Sequence, residues 1–265
     1  LRFIRSIWEN IPVFLILHVS IGIYIYEMMC VLPKLVIILK IGCIEQWVLI
    51  CLSSLWLINV CGNMIKCIVT SELNMRETMY RGMDYCKPCR QSRPANSWHC
   101  RRCNVCIVRR DHHCSFFACC VNIDNKRYYI LFLFHTAVSM IMSTYYNYFM
   151  VASKFESNYE LLVSIGRVLN PLILFMVPST AGSKDLYTMY MILNLAGGCW
   201  AGGLLYYHFK NTMMGVTAYE NKYRPELRNL RKWKQNLINV FGIKWYWAIV
   251  WPIDIYHSIG SLKTG

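Results

Sequence analysis

Four stretches of this chain are almost free of charge: 11–29, 47–65, 128–151 and 186–207. The last three contain no Asp, Glu, Lys or Arg, and the first holds only Glu27, near its end, where it can reach an interface. Each is long enough to cross the hydrocarbon of a bilayer, about 30 Å, as a helix. A buried core helix would account for one such run. Four in 265 residues, of which 56% are hydrophobic, place the chain in the membrane class. A secretory signal peptide is the competing reading of the N-terminus, where Arg2 and Arg5 precede the first run. That run is too long and no small-x-small cleavage site follows it, so a retained first span is expected.

The segment 161–177 is a fifth apolar run, interrupted by Arg167, Asn170 and Pro171. Charge decides against it as a span. Between 76 and 127 there are eleven Lys/Arg against four Asp/Glu, and from 208 to the end nine against three; 30–46 carries two against one and 152–185 three against three. Basic loops face the cytosol, so an even number of spans separates the two basic segments, and 161–177 is read as re-entrant or interfacial on the far side. The termini and segment 76–127 are then cytosolic. Anionic headgroups beside those segments explain the formal charge of +14 better than nucleic acid does. A phosphate-rich small molecule is the sharper alternative, because Arg101, Arg102, Arg109, Arg110, Lys126 and Arg127 crowd one place.

Into that place the chain also puts eight of its fourteen cysteines and three of its seven histidines, within 86–120. Cytosolic thiols stay reduced, so their spacing is read as metal ligation before disulfides. The pattern is Cys86-x-x-Cys89, nine residues, His99-Cys100-x-x-Cys103-x-x-Cys106, four residues, Asp111-His112-His113-Cys114, then Cys119 and Cys120. Eleven Cys and His groups are available, and two closed tetrahedral zinc sites use eight, which leaves three for chemistry. A RING-type ligase needs a final Cys-x-x-Cys pair that nothing after Cys106 supplies. A nucleic-acid finger of the two-Cys, two-His kind needs spaced histidines, and His112 and His113 are adjacent. A zinc transporter needs paired ionisable groups within its spans, and the sequence shows none there.

Residues 86–129 resemble the cysteine-rich domain of the DHHC protein S-acyltransferases, whose Cys, His and DHHC spacing they follow through Asn125. The likeness extends to four spans with this domain between the second and third. It implies an all-α integral membrane protein: transmembrane helices 1 and 2 in 1–75, the zinc domain in 76–127, helices 3 and 4 with their far-side loop in 128–207, and a cytosolic C-terminal segment in 208–265. It implies two structural zinc ions, one on Cys86, Cys89, His99 and Cys106 and the other on Cys100, Cys103, His113 and Cys120. Asp111, His112 and Cys114 are then the catalytic group, and Cys119 is an extra thiol read as a small apolar filler.

The activity implied by the resemblance is transfer of a palmitoyl or similar long acyl group from acyl-CoA to cysteines of membrane-associated cytosolic proteins, at the Golgi or endoplasmic reticulum. The other expected partner is the lipid bilayer. A free cysteine has a pKa of about 8.5, so little of it is thiolate at neutral pH without a base. In the family's scheme His112 takes the proton of Cys114, while Asp111 fixes the imidazole tautomer and stabilises the imidazolium. Each buried methylene of the acyl chain contributes about 0.8 kcal/mol, so an apolar space among the spans is its natural seat.

Beyond the last span, Thr217-Ala218-Tyr219-Glu220 resembles the family's Thr-Thr-x-Glu motif, and 236–242 its C-terminal Asn-containing motif. Ala218 replaces a threonine whose hydroxyl supports the active-site Asp in the family, so that hydrogen bond to Asp111 is expected to be lost. After Cys114 the family commonly has Pro-Trp-Val-Asn-Asn; here stand Ser115, Phe116, Phe117, Ala118 and Cys119, with Asn122 for a glycine and Tyr129 for a phenylalanine. These departures keep a second reading open, a membrane-anchored zinc-domain scaffold of the same fold with weak or no turnover. Gly198-x-x-x-Gly202 is read as a helix-packing spacing. The aromatic segment 245–251 is either an interfacial anchor or a packed C-terminal helix.

Overall fold

The computed structural model describes residues 2–76, 84–170 and 182–252. Among the described residues, four helical stretches are long and apolar enough to cross a membrane, Asn10–Leu39, Cys43–Ser71, Lys126–Ala152 and Lys184–Met213, so the chain is a multi-pass membrane protein. Each contains one of the uncharged runs and extends beyond it. The first extends furthest: helix α1 (Arg2–Tyr26) passes through a π-helical turn, Glu27–Val31, directly into α2 (Leu32–Leu39). Pro33 explains the turn. It has no N–H to donate and its ring crowds the carbonyl four residues back, so the helix widens locally instead of breaking. Lys40, left-handed at φ 52°, then ends α2.

The other long helices are α3 (Cys43–Arg76), α4 (Lys126–Ala152) and α6 (Gly182–Met213). Between the last two lies α5 (Asn158–Leu169), capped by Ser157, whose hydroxyl accepts the Glu160 N–H. At 12 residues α5 is too short to cross a bilayer. The remainder of the expected interfacial run, 171–177, lies outside the described residues.

Packing divides the chain into two units, one of Leu1–Ser20, Ile58–Leu133 and Leu204–Gly265, the other of Ile21–Leu57 and Phe134–Gly203. The second unit is helical. Its Glu27 is bonded within the bundle, accepting from Ser143 Oγ at 2.5 Å, Asn147 Nδ2 at 2.7 Å and Tyr190 OH at 3.0 Å. Gly197 and Gly198 let α6 approach α4: a Cβ on Gly197 would collide with the Met140 methyl, and one on Gly198 would stand 3.1 Å from Ile141 Cγ1. Gly202 has nothing within 4 Å, so the close approach uses an adjacent glycine pair and not the four-residue spacing.

The first unit carries the cysteine-rich segment, which adds short strands to an otherwise helical fold. It forms three antiparallel hairpins: β1 (Asp84–Cys86) with β2 (Gln91–Arg93), β3 (Ser97–Cys100) with β4 (Val105–Val108), and β5 (Arg110–Cys114) with β6 (Cys119–Asn122). In the first two, a Cys-x-x-Cys step makes the turn. Arg90 N–H bonds Cys86 O at 2.8 Å and Asn104 N–H bonds Cys100 O at 2.7 Å, and both donors' residues are left-handed, φ 54° and 57°.

The third hairpin is seated on membrane-helix residues. Phe117, Cys119 and Val121 share a core with Val60 and Met64 of α3 and Tyr128, Tyr129, Phe132 and Leu133 of α4. Asn125 fastens it: Nδ2 donates to Cys67 O at 3.1 Å and Cys120 O at 2.9 Å, while Oδ1 accepts the Asn122 N–H at 2.8 Å.

After α6 come α7 (Ala218–Tyr223), α8 (Trp233–Phe241) and α9 (Trp245–Val250). Asn236 in α8 explains why an asparagine suits the C-terminal motif. Its Nδ2 donates to Met213 O and Asn229 O, both at 2.9 Å, and its amide stands where a Cβ on Gly215 (φ 74°) would come within 2.9 Å. Helix α9 packs through Ala248, and Asn59 Nδ2 donates to Val250 O at 2.9 Å. Trp245, Tyr246, Trp247 and Trp251 remain about half exposed.

Candidate metal centres and active site

Two sets of four side chains converge in the first unit, Cys86, Cys89, His99 and Cys106, and Cys100, Cys103, His113 and Cys120. In the first set Cys89 Sγ is 3.8 Å from Cys106 Sγ and 3.1 Å from His99 Nδ1. In the second Cys103 Sγ is 3.7 Å from Cys120 Sγ and 3.3 Å from His113 Nδ1. Two sulfurs bound tetrahedrally to one ion at about 2.3 Å stand about 3.8 Å apart. Both sets therefore could hold a metal and are consistent with zinc.

Strand pairing explains the interleaving. His99 lies opposite Cys106 across β3 and β4, and His113 opposite Cys120 across β5 and β6. Each such pair meets the Cys-x-x-Cys turn of the preceding hairpin, so an ion in either set joins one hairpin to the next.

The residues between ligands are sorted by the same geometry. Alternation along β5 turns His112 and Cys114 away from the face of His113, and Cys114, opposite Cys119, enters the apolar core. The register slips between Arg110 and His112, so Asp111 is the extra residue of a bulge. A bulge re-aims its side chain, and Asp111 meets His112, with Oδ2 2.9 Å from Nδ1.

Asp111 is fully buried and surrounded by donors. Oδ1 accepts from Lys126 Nζ and from the Ala218 backbone N–H, each at 2.9 Å; Oδ2 takes His112 and lies 3.3 Å from His208 Nδ1. Burial pushes this carboxyl up, but Lys126, His112 and His208 outweigh burial and hold it well below the usual carboxylate range. Burial opposes the charged form of His112, yet the bond to Asp111 and interaction with Cys114 raise its pKa to about 9.

Ala218 has no hydroxyl to offer Asp111, as expected, and what the site keeps at this position is the backbone N–H bond to Oδ1. The Thr217-x-x-Glu220 spacing is a capping box: Thr217 Oγ1 accepts the Glu220 N–H at 3.1 Å and Glu220 Oε2 accepts the Thr217 N–H at 2.9 Å. Glu220 also takes a two-point bond from Arg109, Nε to Oε1 at 3.1 Å and a terminal nitrogen to Oε2 at 3.0 Å. Arg109 outweighs the burial that would raise the Glu220 carboxyl and lowers it.

Asn122 replaces the expected glycine without backbone strain, because it is not in the left-handed region, and its side chain bonds Asp124 and the Asn125 N–H. Cys119 is buried in the apolar core, hydrogen-bonded to Cys67. The six basic residues expected together are divided. Arg109 and Lys126 are held by Glu220 and Asp111, and Arg110 and Arg127 lie over the rings of Tyr219 and Tyr128 at 5.3 and 4.4 Å. Only Arg101 and Arg102 of the six are exposed. The residue missed by sequence reasoning is His208, whose one signal is a lone imidazole directly after the uncharged run 186–207.

A family model described as DHHC palmitoyltransferase matches residues 79–224. The chain is 25% identical over 223 residues to "Probable palmitoyltransferase ZDHHC24" of Mus musculus, covering 80% of this chain and 76% of that protein. It is 30% identical over 174 residues to "Probable protein S-acyltransferase 14" of Arabidopsis thaliana, covering 62% and 50%. It is 47% identical over 51 residues to "Palmitoyltransferase swf1" of Schizosaccharomyces pombe, covering 19% and 14%.

Proposed function

Because the chain belongs to the DHHC palmitoyltransferase family, we propose that it carries a long-chain acyl group from acyl-CoA to protein cysteines through an acyl-enzyme on Cys114. The observation that carries this reading is the line Asp111, His112, Cys114: a buried carboxylate bonded to an imidazole that interacts with a thiol, the thiol lying among apolar residues of the membrane helices.

His112, its pKa raised to about 9 by Asp111 and Cys114, is the group that takes the thiol proton of Cys114. The thiolate attacks the thioester carbonyl of acyl-CoA. The tetrahedral adduct collapses, the carbon–sulfur bond to CoA breaks, and the departing CoA sulfur takes the proton from His112. In the second half-reaction a substrate cysteine gives its proton to His112 and attacks the Cys114 thioester, and Cys114 leaves as thiolate. Asp111 keeps the imidazole oriented and offsets its charge in both halves.

Cys86, Cys89, His99 and Cys106 would hold one zinc and Cys100, Cys103, His113 and Cys120 the other, and the bound ions would supply cross-links that fix the hairpins. The zinc domain is assigned to 76–127, between helices 1 and 2 in 1–75 and helices 3 and 4 in 128–207, with 208–265 as a C-terminal segment. The basic balance of 76–127 and 208–265 supports a cytosolic placement of the site and both termini, and an endomembrane location follows from the substrate class.

The scaffold reading drew on Ala218 and the altered loop after Cys114. The backbone N–H bond from Ala218 to Asp111 supports the enzyme reading, because the carboxylate keeps a donor at this position without the threonine hydroxyl. Release of CoA from palmitoyl-CoA by the purified protein separates the two readings. Turnover in the zinc-loaded wild type that Cys114→Ser abolishes supports the enzyme; equal release, or none, from both supports the scaffold.

A further inference from the structure

His208 lies on the last membrane helix, far in sequence from the Asp111-His112-Cys114 run, yet its Nδ1 is 3.3 Å from the Asp111 oxygen that His112 binds at 2.9 Å. Its ring is 5.2 Å from that of His112 and is crossed nearly at right angles by Tyr129 and Tyr207, each 5.0 Å away. It is 5% exposed. Nδ1 is buried and makes no aligned hydrogen bond, and the Asp111 carboxylate, at ion-pair distance, is the charged group beside it.

We infer that His208 is a positioning residue for the acyl-transfer reaction, its packed ring and the 3.3 Å approach of Nδ1 keeping the Asp111 carboxylate where His112 requires it. The inference rests on the acyl-transfer reading of Cys114.

The geometry gives this residue a specific task. Lys126 and the Ala218 N–H hold Oδ1, leaving Oδ2 to orient His112. Without His208 that oxygen would have His112 as its only charge-assisted donor, and the group that orients the base would be steered by the base itself. With His208 in place, Oδ2 is contacted from α6 while Oδ1 is bonded from α4 and α7. The catalytic strand is thereby set against three helices through one carboxylate. An orienting contact of this kind acts on rate, because a small misplacement of the imidazole lowers the fraction of productive encounters without changing what binds.

The test compares His208→Leu, which keeps bulk but has no donor, with His208→Asn, whose amide can take the place of Nδ1–H. Four quantities are read for each: the rate of acyl-enzyme formation from palmitoyl-CoA, its KM for palmitoyl-CoA, the rate of Cys114 alkylation by iodoacetamide at fixed pH, and bound zinc per chain. The leucine variant is expected to slow both rates about tenfold or more with KM for palmitoyl-CoA and zinc unchanged, and the asparagine variant to stay within about threefold of wild type. A leucine variant as fast as wild type, an asparagine variant as slow as leucine, or loss of rate accompanied by loss of zinc would each overturn the inference. If wild type forms no acyl-enzyme, the acyl-transfer reading fails, and the alkylation rates still decide whether His208 acts on Cys114.

Discussion

The backbone N–H of Ala218 donates to Asp111 Oδ1 at 2.9 Å, so the first residue of α7 holds the carboxylate that holds His112. The bond depends on an N–H and not on a side chain. Ala218→Thr should therefore change acyl-enzyme formation by no more than about threefold, whereas Ala218→Pro removes the donor. Proline is accepted at the first position of a helix, and Thr217 before it is already extended at φ −82° and ψ 166°, as a residue preceding proline must be. The proline variant should fold and keep its zinc, yet lose about 1.5–3 kcal/mol of support to a charged acceptor, seen as a rate at least tenfold lower. Single-turnover rates for both variants check this, and a fully active proline variant would show that the bond is dispensable.

Much of the site was legible because ligand spacing is a local property. A Cys-x-x-Cys step closes its own turn, so the pattern from Cys86 to Cys120 exposed both metal sets and the leftover Asp111, His112 and Cys114. The supports of Asp111 come from elsewhere in the chain, and their types mislead. Ala218 offers nothing by its side chain, and His208 in an apolar helix reads like any core histidine. The helix cores were likewise plain from missing charge, while their ends were not. Lys126 begins α4 because Asp111 and Val216 O receive its ammonium inside the protein. Glu27 did not end the first helix, because Ser143, Asn147 and Tyr190 bond it.

Glu220 ties α7 to Arg109, and its carboxyl is lower in the folded protein than the unfolded value of about 4.3. A depressed carboxyl contributes stability that is present above the unfolded value and lost as pH falls through the folded one. Glu220→Gln should consequently be about 1–2 kcal/mol less stable than wild type at pH 7, a range lowered for the partial exposure of Arg109. The gap should close as pH falls below the unfolded value of about 4.3 and through the lower folded one. Thermal midpoints of the two proteins across that range are the measurement, and a gap independent of pH would contradict the assignment.

Ala118 closes the turn between β5 and β6 at φ 52°, a left-handed conformation that costs an alanine about 1 kcal/mol and suits glycine or asparagine better. Ala118→Gly and Ala118→Asn should each stabilise the protein by about that amount. The thermal midpoint would rise by a few degrees, with acyl-enzyme formation unchanged. A fall in midpoint for both would show that the alanine methyl packs better than the turn geometry indicates.

Metal content should be about two zinc per chain, falling to about one in Cys106→Ser and in Cys120→Ser. The two variants should differ in activity. Cys120 lies opposite His113, beside Asp111, His112 and Cys114 of β5, so its loss should abolish acyl-enzyme formation, whereas Cys106→Ser should retain part of it. Zinc analysis beside the single-turnover assay checks both halves of the statement.

The most direct test locates the acyl group itself. Purified protein is incubated with palmitoyl-CoA, its intact mass is compared with that of Cys114→Ser before and after neutral hydroxylamine, and the adduct is mapped by peptide. The expected result is one palmitoyl mass on wild type, at Cys114, removed by hydroxylamine and missing from the variant. An unmodified, zinc-loaded wild type, or an equal adduct on Cys114→Ser, would contradict catalysis through Cys114.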